Sequence, residues 1–550
     1  MTQAVVSRAP ANKWVIASTV VLSSFVVVMD VSIVNVAMPQ MLGTFGVTLD
    51  AITWVPVAYS IAEIILVTMA AWCSLLLGRK RFYILSFCIF TAASVLCGLA
   101  RSLEMMIAAR MLQGLGGGGL TPVAQAIMLE TFPEEERGMA MALYSMGVVV
   151  APTVGPVLGG WLTDAYGWPW IFYVNVPVGI LGICLAATVL HDPPYTQHRL
   201  ARIDVVGMVL LAIGLTALQI FLERGERENW FDSSFIVVTG LVALVALLLL
   251  VGWELWTDEP VVNLRVLKNV PLTAGTCLGF VFGITLFGSL FILPLFLQRL
   301  RGYSVLDSGL IQMPRMLIML VVTPIAGRLY NYIDGRFLIG AGVVLMILGY
   351  FHLAHLTLEV GLPQLLPGLL LTGAGMSCMF GTMSATVMRT VPRPMLTAAT
   401  GLYTLFRRIG GNMGYALVAS QITHRTAFHR ARLVEHLTPY DPGPSLALDN
   451  LTARLAGSGV PPGVAADSAL QMLAGTADRH ATMMAYNDIS WMMGMLCVAG
   501  LPFLLLLGGR TPPAASEPHQ PVAPVRGEYT ADATVNSSRS SVHINADGEA

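Results

Sequence analysis

The sequence predicts an all-α polytopic membrane protein with 14 transmembrane helices. Hydrophobic residues make up 55% of the chain and charged residues only 11%, whereas soluble domains carry about 25% charged residues. Apolar runs recur along the chain at the length of about 20 residues that a helix needs to cross a bilayer. The basic residues concentrate in alternate loops, as expected for loops that stay in the cytoplasm.

The predicted spans follow the apolar runs. They cover residues 14–37, 52–74, 82–99, 104–128, 139–163, 170–190, 204–223, 234–255, 271–297, 306–329, 337–356, 363–388, 396–420 and 487–508. Several spans contain Gly and Pro, as in VVVAPTVGPVLGG (148–160). Membrane helices accept these residues because packed neighbours satisfy the freed backbone groups.

The charge pattern of the short loops predicts that both termini are cytoplasmic. The loops on the predicted inner side hold GRKR (78–81), Arg137 and Arg336, among others, and the short outer loops hold fewer basic residues. Long loops are exempt from this rule. The Arg and His residues of 422–486 therefore do not change the predicted orientation.

A faint duplication predicts two related six-helix halves. The second span ends in AAWCSLLLGRKR (70–81) and the tenth ends in AGRLYNYIDGR (326–336), each with a small residue and a basic turn. Two such halves around a midplane site are typical of secondary transporters. The predicted units are a cytoplasmic N-terminus (1–13), a six-helix bundle (14–190), an inserted helix pair with its loops (191–270), a second six-helix bundle (271–508) with a long periplasmic loop (422–486), and a disordered cytoplasmic tail (509–550).

Composition and motifs exclude several classes of function. The net charge of −1 argues against nucleic-acid binding, which needs a basic face. The chain holds no phosphate-binding G-x-x-x-x-G-K-[ST] loop and no H-E-x-x-H or G-x-S-x-G motif. The 7 cysteines lie in or beside apolar runs without C-x-x-C spacing, so we expect small buried hydrophobes rather than disulfides or metal ligands. We therefore predict no enzyme, no metal and no cofactor besides a proton gradient.

Two acidic residues in the first two spans are the leading candidates for proton coupling. Asp30 lies near the end of the first apolar run, in MDVSIVNVAMP (29–39). A carboxylate at membrane depth is costly unless it faces a cavity or a partner, so it is a functional candidate, although a structural hydrogen bond is the alternative. Glu63 is the second acid, with Tyr59 one helical turn before it on the same face. Glu63 could carry a proton or recognise a cationic substrate; the alternative is that it lies near the interface or pairs with an arginine. Tyr59, Gln113 and Asn35 are candidates for the substrate cavity, but the spacing of Asn35 from Asp30 places it on a different face.

The fourth span places a cation, an amide and two glycines on one stripe. Arg110, Gln113, Gly114 and Gly117 follow the spacing i, i+3, i+4 and i+7 in RMLQGLGGGGLTP (110–122). A buried arginine needs an acceptor, so we expect Arg110 to contact Asp30 or a backbone carbonyl. An ion pair with Asp30 would hold the carboxylate ionised until a proton or a substrate competes.

The fifth span carries a ridge of small residues that predicts close helix packing. It consists of Gly147, Ala151, Pro152, Gly155, Pro156, Gly159 and Gly160. In a rocking transporter, the same ridge could also seal the contact between the halves.

The second half supplies candidate residues for the substrate cavity. Arg315 and Arg407 are cations at membrane depth, where Arg315 could attract an anionic substrate or merely extend to the interface. Met376, Met379 and Met383 lie on one helix and suit a pocket for varied apolar shapes, although ordinary core packing explains them equally well.

These stretches resemble the fourteen-span drug:proton antiporters of the major facilitator superfamily, most closely the EmrB type. The resemblance covers residues 14 to 508. It is carried by MDVSIVNVAMP (29–39), IAARMLQGLGGG (107–118), GVVVAPTVGPVLGG (147–160), WPWIFYVNVPVG (168–179), LERGERENWF (222–231), WELWTDEPVVNLRVLKN (253–269) and FRRIGGNMG (406–414). It implies the major facilitator fold, proton-linked roles for Asp30 and Arg110, and the antiporter motif on the fifth span.

The resemblance also implies a cellular setting. EmrB-type exporters lie in the bacterial inner membrane and join a membrane-anchored periplasmic adaptor and an outer-membrane channel. One motif departs from the superfamily pattern: AWCSLLLGRK (71–80) has Leu75 and Leu76 where an Asp and an Arg are usual. This departure puts the usual charged lock between the halves in doubt.

The leading interpretation is a proton-coupled multidrug exporter of lipophilic or weakly acidic toxic compounds, with small molecules, protons and membrane lipids as its partners. An exporter of a specific metabolite or siderophore is the closest alternative. An intramembrane enzyme is a remote one, because the buried ionisable groups are isolated acids and arginines.

Overall fold

A computed structural model describes residues 12–192, 204–258, 260–435 and 442–507. These residues form helices joined by short connections, and no β-strand occurs among them. The prediction of a disordered tail at 509–550 lies outside the described residues, as do most of the N-terminus and residues 193–203 of the loop before the inserted pair.

Each predicted span coincides with a main helix of the described part of the chain, and the sixth span also includes the short helix Trp170–Tyr173. These helices, in order, are α1 (Lys13–Phe45), α2 (Trp54–Leu77), α3 (Arg79–Gly98), α4 (Leu103–Thr131), α5 (Arg137–Tyr166), α6 (Asn175–Val189), α7 (Val205–Arg224), α8 (Ser234–Trp256), α9 (Val270–Leu295), α10 (Val305–Leu329), α11 (Gly335–Leu353), α12 (Leu362–Met388), α13 (Leu396–Glu435) and α14 (Pro462–Leu505). Shorter helices cover Leu49–Ile52, Trp170–Tyr173 and Pro442–Gly457.

The all-α membrane fold is confirmed, whereas the count of 14 spans stays a prediction. By length and apolarity, 11 of the described helices could cross a membrane, or 12 if the two segments of α5, bent by 41°, are one span. Helices α4 and α13 are not among them. Both are rich in glycine and carry buried polar side chains, which lowers their mean hydropathy.

The helices pack as two bundles. In the first, α1 packs on α5, and α4 packs on both α2 and α3; in the second, α9 packs on α13, and α12 packs on both α10 and α11. The bundles meet along two seams, α5 against α10 and α2 against α13. Helix α7 lies against both α2 and α13, so the inserted pair is attached at the second seam.

The outer surface of the inserted pair is apolar. On α8, Leu241, Leu244 and Leu248 are exposed. An exposed apolar helix face is unfavourable in water and suits contact with lipid. The described helices therefore expose the surface expected of a multi-pass membrane protein.

Polar contacts join the bundles on the side predicted to be cytoplasmic. Arg79 pairs with Glu130 and also donates to the Thr397 hydroxyl at 3.0 Å, and Arg389 pairs with Glu134 at 2.6 Å. Thr397 and Arg389 belong to the second half of the chain and their partners to the first. Although Leu75 and Leu76 stand where charged residues are usual, these other polar contacts link the bundles.

Most of the predicted periplasmic loop 422–486 is helical. Helix α13 runs on to Glu435, the helix Pro442–Gly457 follows, and α14 already begins at Pro462. Ion pairs join the extended parts of α13 and α14, as between Arg430 and Asp478 at 2.6 Å. The two helices therefore continue well beyond the predicted spans.

All 7 cysteines are free, as expected. Cys97 and Cys497 are buried, but Cys88 and Cys184 are exposed. The expectation that all cysteines are buried is therefore wrong for Cys88 and Cys184. An apolar helix at the outside of a bundle has one face that points away from the other helices, and a cysteine on that face is exposed.

Candidate functional site

Asp30 lies fully buried within the first bundle and accepts three hydrogen bonds. Its Oδ2 atom is 2.5 Å from Nη1 of Arg110. Its Oδ1 atom accepts from Nε2 of Gln113 at 2.8 Å and from Nδ2 of Asn175 at 2.7 Å. Donors from α4 and α6 thus satisfy the carboxylate on α1, as a buried charge requires.

Arg110 is almost completely buried, with only 1% of its side chain exposed. Besides Asp30, it donates to Oε1 of Gln113 at 2.6 Å and to the Val55 carbonyl at 3.4 Å. Its guanidinium carbon lies 4.2 Å from the centre of the Tyr59 ring, a cation–π contact. The predicted contacts of Arg110 with Asp30 and with a backbone carbonyl are both confirmed.

The glycines of α4 bring Tyr59 and Glu63 close to this ion pair. A β-carbon at Gly114 would collide with the Tyr59 carbonyl oxygen, and one at Gly117 would lie 2.5 Å from the Tyr59 hydroxyl oxygen. The close approach of α2 and α4 therefore depends on the absence of side chains at these positions.

A central cavity lies between the two bundles, and neither Asp30 nor Arg110 is among its lining residues. It holds about 720 Å³ of empty space, part of it open to solvent. The lining residues come from α1, α4, α5, α9, α10, α12 and α13, and they are mostly apolar. They are Val28, Thr121, Val148, Pro152, Leu286, Phe287, Leu290, Gln312, Arg315, Met316, Met319, Met376, Phe380, Arg407 and Arg408.

Arg315 and Arg407 supply buried positive charge to the cavity wall. Only 4% of Arg315 and 5% of Arg407 is exposed. Arg315 donates to the Met376 sulfur at 2.9 Å, and the Arg407 guanidinium lies 4.6 Å from the centre of the Phe380 ring. Among the described residues, neither arginine forms an ion pair.

Glu63 and Arg408 form an ion pair between the bundles. Glu63 Oε1 on α2 lies 2.6 Å from Nη2 of Arg408 on α13, and 6% and 14% of these side chains are exposed. Arg408 also lines the cavity. The alternative that Glu63 pairs with an arginine is therefore what the structure shows.

The small residues of α5 form the expected packing ridge against α1. A β-carbon at Gly155 would overlap Ser32, and one at Gly159 would lie 2.7 Å from Cγ1 of Ile33. Gly160 has more room, with Cγ1 of Val36 at 4.0 Å. The ridge thus packs within the first bundle. Toward the cavity, the same helix presents Pro152.

Five cavity candidates do not line the cavity. Tyr59 and Gln113 lie at the Asp30–Arg110 pair instead. Met379 packs on Gly342 of α11, and Met383 is completely buried in the core. Asn35 is exposed and does not line the cavity. These placements correct the expectation for all five residues. Of the three candidate methionines on α12, only Met376 lines the cavity, together with Phe380 one helical turn further on. Residues three and seven positions after Met376 face the helix neighbours of α12 instead.

The sequence analysis missed Asn175, Ser94 and the role of Arg408. Asn175 holds Asp30, and the Ser94 hydroxyl accepts from Nε2 of Gln113 at 2.9 Å. A lone amide inside the apolar run of span 6 was a usable signal for Asn175. No signal in the sequence separates Ser94 from the many hydroxyls that bond their own helix.

Residues 20–415 match the sequence model of the Major Facilitator Superfamily. The chain belongs to this superfamily. As a facilitator, it has two bundles, a cavity between them and a buried ion pair within the first bundle, an arrangement that suits movement of a solute rather than bond chemistry.

Curated relatives of this facilitator include proteins named for multidrug export and for fatty acid resistance. The chain is 32% identical to the multidrug export protein EmrB of Escherichia coli (strain K12), over 88% of this chain and 92% of that protein. It is 34% identical to EmrB of Haemophilus influenzae over 76% of this chain and 82% of that protein. It is 30% identical to the fatty acid resistance protein FarB of Neisseria gonorrhoeae, over 88% of this chain and 94% of that protein. The EmrB-type resemblance of its motifs is confirmed.

Solved structures support the fold of the facilitator. The proton:xylose symporter XylE aligns over 90% of this chain and 96% of its own, with a TM-score of 0.58 and 13% identity. The human organic anion transporter MFSD10 aligns over 88% of this chain and 99% of its own, with a TM-score of 0.55 and 13% identity.

Proposed function

We propose that this facilitator is a proton-coupled efflux transporter that exports lipophilic and weakly acidic toxic compounds. The observation that carries the proposal is the central cavity, in which an apolar wall surrounds two buried arginines without an ion-pair partner among the described residues. The names of the EmrB and FarB relatives, which refer to multidrug export and to fatty acid resistance, agree with it.

The cavity suits a cargo with a large apolar part and one anionic group. Its aromatic and methionine side chains, such as Phe287 and Met316, adapt to different apolar shapes. Burying an unpaired guanidinium is costly, and a carboxylate from the cargo would compensate Arg315 and Arg407 through charge-assisted hydrogen bonds. Lipophilic weak acids combine both features.

The Asp30–Arg110 pair is the proposed energy-coupling site. As an ion pair, it holds α1, α4 and α6 together, and a proton on Asp30 would remove the charge that Arg110 compensates. The protonated and ionised forms of Asp30 then favour different arrangements of the bundle. A proton therefore binds the two arrangements with different affinity, and this difference lets a proton gradient drive the cycle. Glu63 is a second candidate carrier.

The cellular setting is part of the same proposal. We infer that the protein lies in the bacterial inner membrane and works with a membrane-anchored periplasmic adaptor and an outer-membrane channel. The extensions of α13 and α14 beyond their predicted spans offer surface for such a partner, with Phe428 and Leu470 exposed. Co-purification with an affinity-tagged full chain would test this part.

Transport by purified protein in proteoliposomes tests the central claim. We expect an imposed pH gradient to drive accumulation of an aromatic carboxylate and its uncharged methyl ester. The variant Arg315→Gln should lose carboxylate transport by about tenfold more than ester transport, since one charge-assisted bond contributes about 1.5–3 kcal/mol. The exposed Arg454 offers the matched control Arg454→Gln. Wild-type protein that moves neither compound under a gradient would overturn the proposal.

A further inference from the structure

The Arg408 side chain contacts both an acidic residue and the central cavity. Its Nη2 atom pairs with Glu63 across the seam between α2 and α13, and its side chain lines the central cavity. A guanidinium carries five N–H donors. Contact with Glu63 therefore leaves donors of the same charged group for a ligand in the cavity.

The Glu63–Arg408 pair is also distinct among the links between the bundles. In the described part of the chain, two ion pairs join the bundles, and the other one links Arg389 to Glu134. The side chains of that second pair are 28% and 55% exposed, so solvent screens their attraction. Glu63 and Arg408 are far less exposed, so a change in their charge balance has a larger effect.

We propose that Arg408 is shared between Glu63 and the anionic group of the cargo, so that an anion in the cavity loosens the seam between α2 and α13. This inference rests on the proposed function and names a specificity-determining pair within it. A cargo carboxylate near Arg408 divides the attraction of one cation between two anions. It also repels the Glu63 carboxylate, which weakens the contact between the bundles.

The same geometry makes the charge preference of the cavity depend on the pair. Without the Glu63 charge, Arg408 is free for the cargo, and anions bind more tightly. Without the Arg408 charge, an uncompensated Glu63 carboxylate is left next to a side chain of the cavity wall. That carboxylate repels anionic cargo and attracts a cation of similar shape, so the preference reverses.

The experiment measures binding of three probes with one ring system to the full chain in nanodiscs. The probes are an aromatic carboxylate, its methyl ester and a quaternary ammonium analogue. We expect Glu63→Gln to tighten carboxylate binding by about tenfold and Arg408→Gln to weaken it by about tenfold, with tighter ammonium binding, since a tenfold change corresponds to about 1.4 kcal/mol. Ester binding should change little in either variant.

Arg315→Gln is the matched control in the cavity. It should also weaken carboxylate binding. Because Arg315 forms no ion pair among the described residues, its replacement creates no uncompensated carboxylate and should not improve ammonium binding. Hydrogen exchange provides a readout of the seam, because carboxylate but not ester should speed exchange in α2 and α13 of the wild type.

The outcomes separate this inference from the proposed function. If the wild type transports the carboxylate but both pair variants shift all three probes equally, the shared role of Arg408 is wrong and the transport function stands. If the wild type transports neither carboxylate nor ester, the proposed function fails. Should Arg408→Gln fail to fold, Glu63→Gln still decides, because unchanged carboxylate binding in that variant refutes the sharing.

Discussion

Replacement of Asp30 by asparagine removes a buried charge with little change in side-chain size. In the native site, Oδ1 accepts from Gln113 and Asn175, so the amide oxygen of the substituted side chain would remain there. Its NH₂ group would then face Nη1 of Arg110, which now lies 2.5 Å from the carboxylate. Two N–H donors would then face each other where Arg110 now donates to a carboxylate oxygen, and Arg110 would keep its charge without a counter-ion.

The expected cost follows from the burial of this pair. Removing one partner of a buried ion pair costs about 3–5 kcal/mol. Arg110 keeps Oε1 of Gln113 at 2.6 Å and the Val55 carbonyl at 3.4 Å, so we expect a value near the lower end. A loss of about 3 kcal/mol corresponds to a change of roughly 100-fold in an equilibrium constant.

A double-mutant cycle with Arg110→Gln measures the interaction. Each single variant leaves one uncompensated charge, whereas the double variant leaves a neutral cluster. We expect the double variant to recover at least about 2 kcal/mol relative to the sum of the single losses. Unfolding in detergent gives the stabilities, and proton-driven uptake into proteoliposomes gives the activity of each variant.

Stability and activity should separate in this cycle. All three variants should lose proton-driven export, but only the single variants should be strongly destabilised. Additive losses of stability would show that the two charges do not interact as the distance implies. Full export by Asp30→Asn would refute the coupling role of Asp30, whatever its stability.

Two further predictions concern packing and the polar contacts on the predicted cytoplasmic side. Gly155→Ala should disturb the contact of α5 with α1, because the added β-carbon would overlap Ser32, and it should lower both export and monodispersity in size-exclusion chromatography. Gly160→Ala is the control, because that position has room for a β-carbon. Equal behaviour of the two variants would contradict the packing role. Arg389→Gln breaks a partly exposed ion pair with Glu134, so we expect the free energy of unfolding to fall by at most about 1 kcal/mol. A larger loss of stability would show that this contact is more than a surface ion pair.

The amino-acid sequence by itself determined which segments form helices and which residues share a face of each helix. Apolar runs located every long helix, and the stripe of Arg110, Gln113 and Gly114 followed from a period of 3.6 residues. The cost of burying a charge was sufficient to predict that Arg110 has Asp30 or a backbone carbonyl as its acceptor. Both inferences need only the residue types and the helical period, so they could be made without the tertiary structure.

Only the tertiary structure decided which face meets which neighbour. Glu63 and Arg408 are 345 residues apart in the chain, and their contact exists because α2 and α13 meet at a seam. The same rotation of α12 that turns Met376 to the cavity turns Met379 to α11. Periodicity fixes the angles between side chains on one helix but leaves the rotation of that helix within a bundle to the packing of all its neighbours.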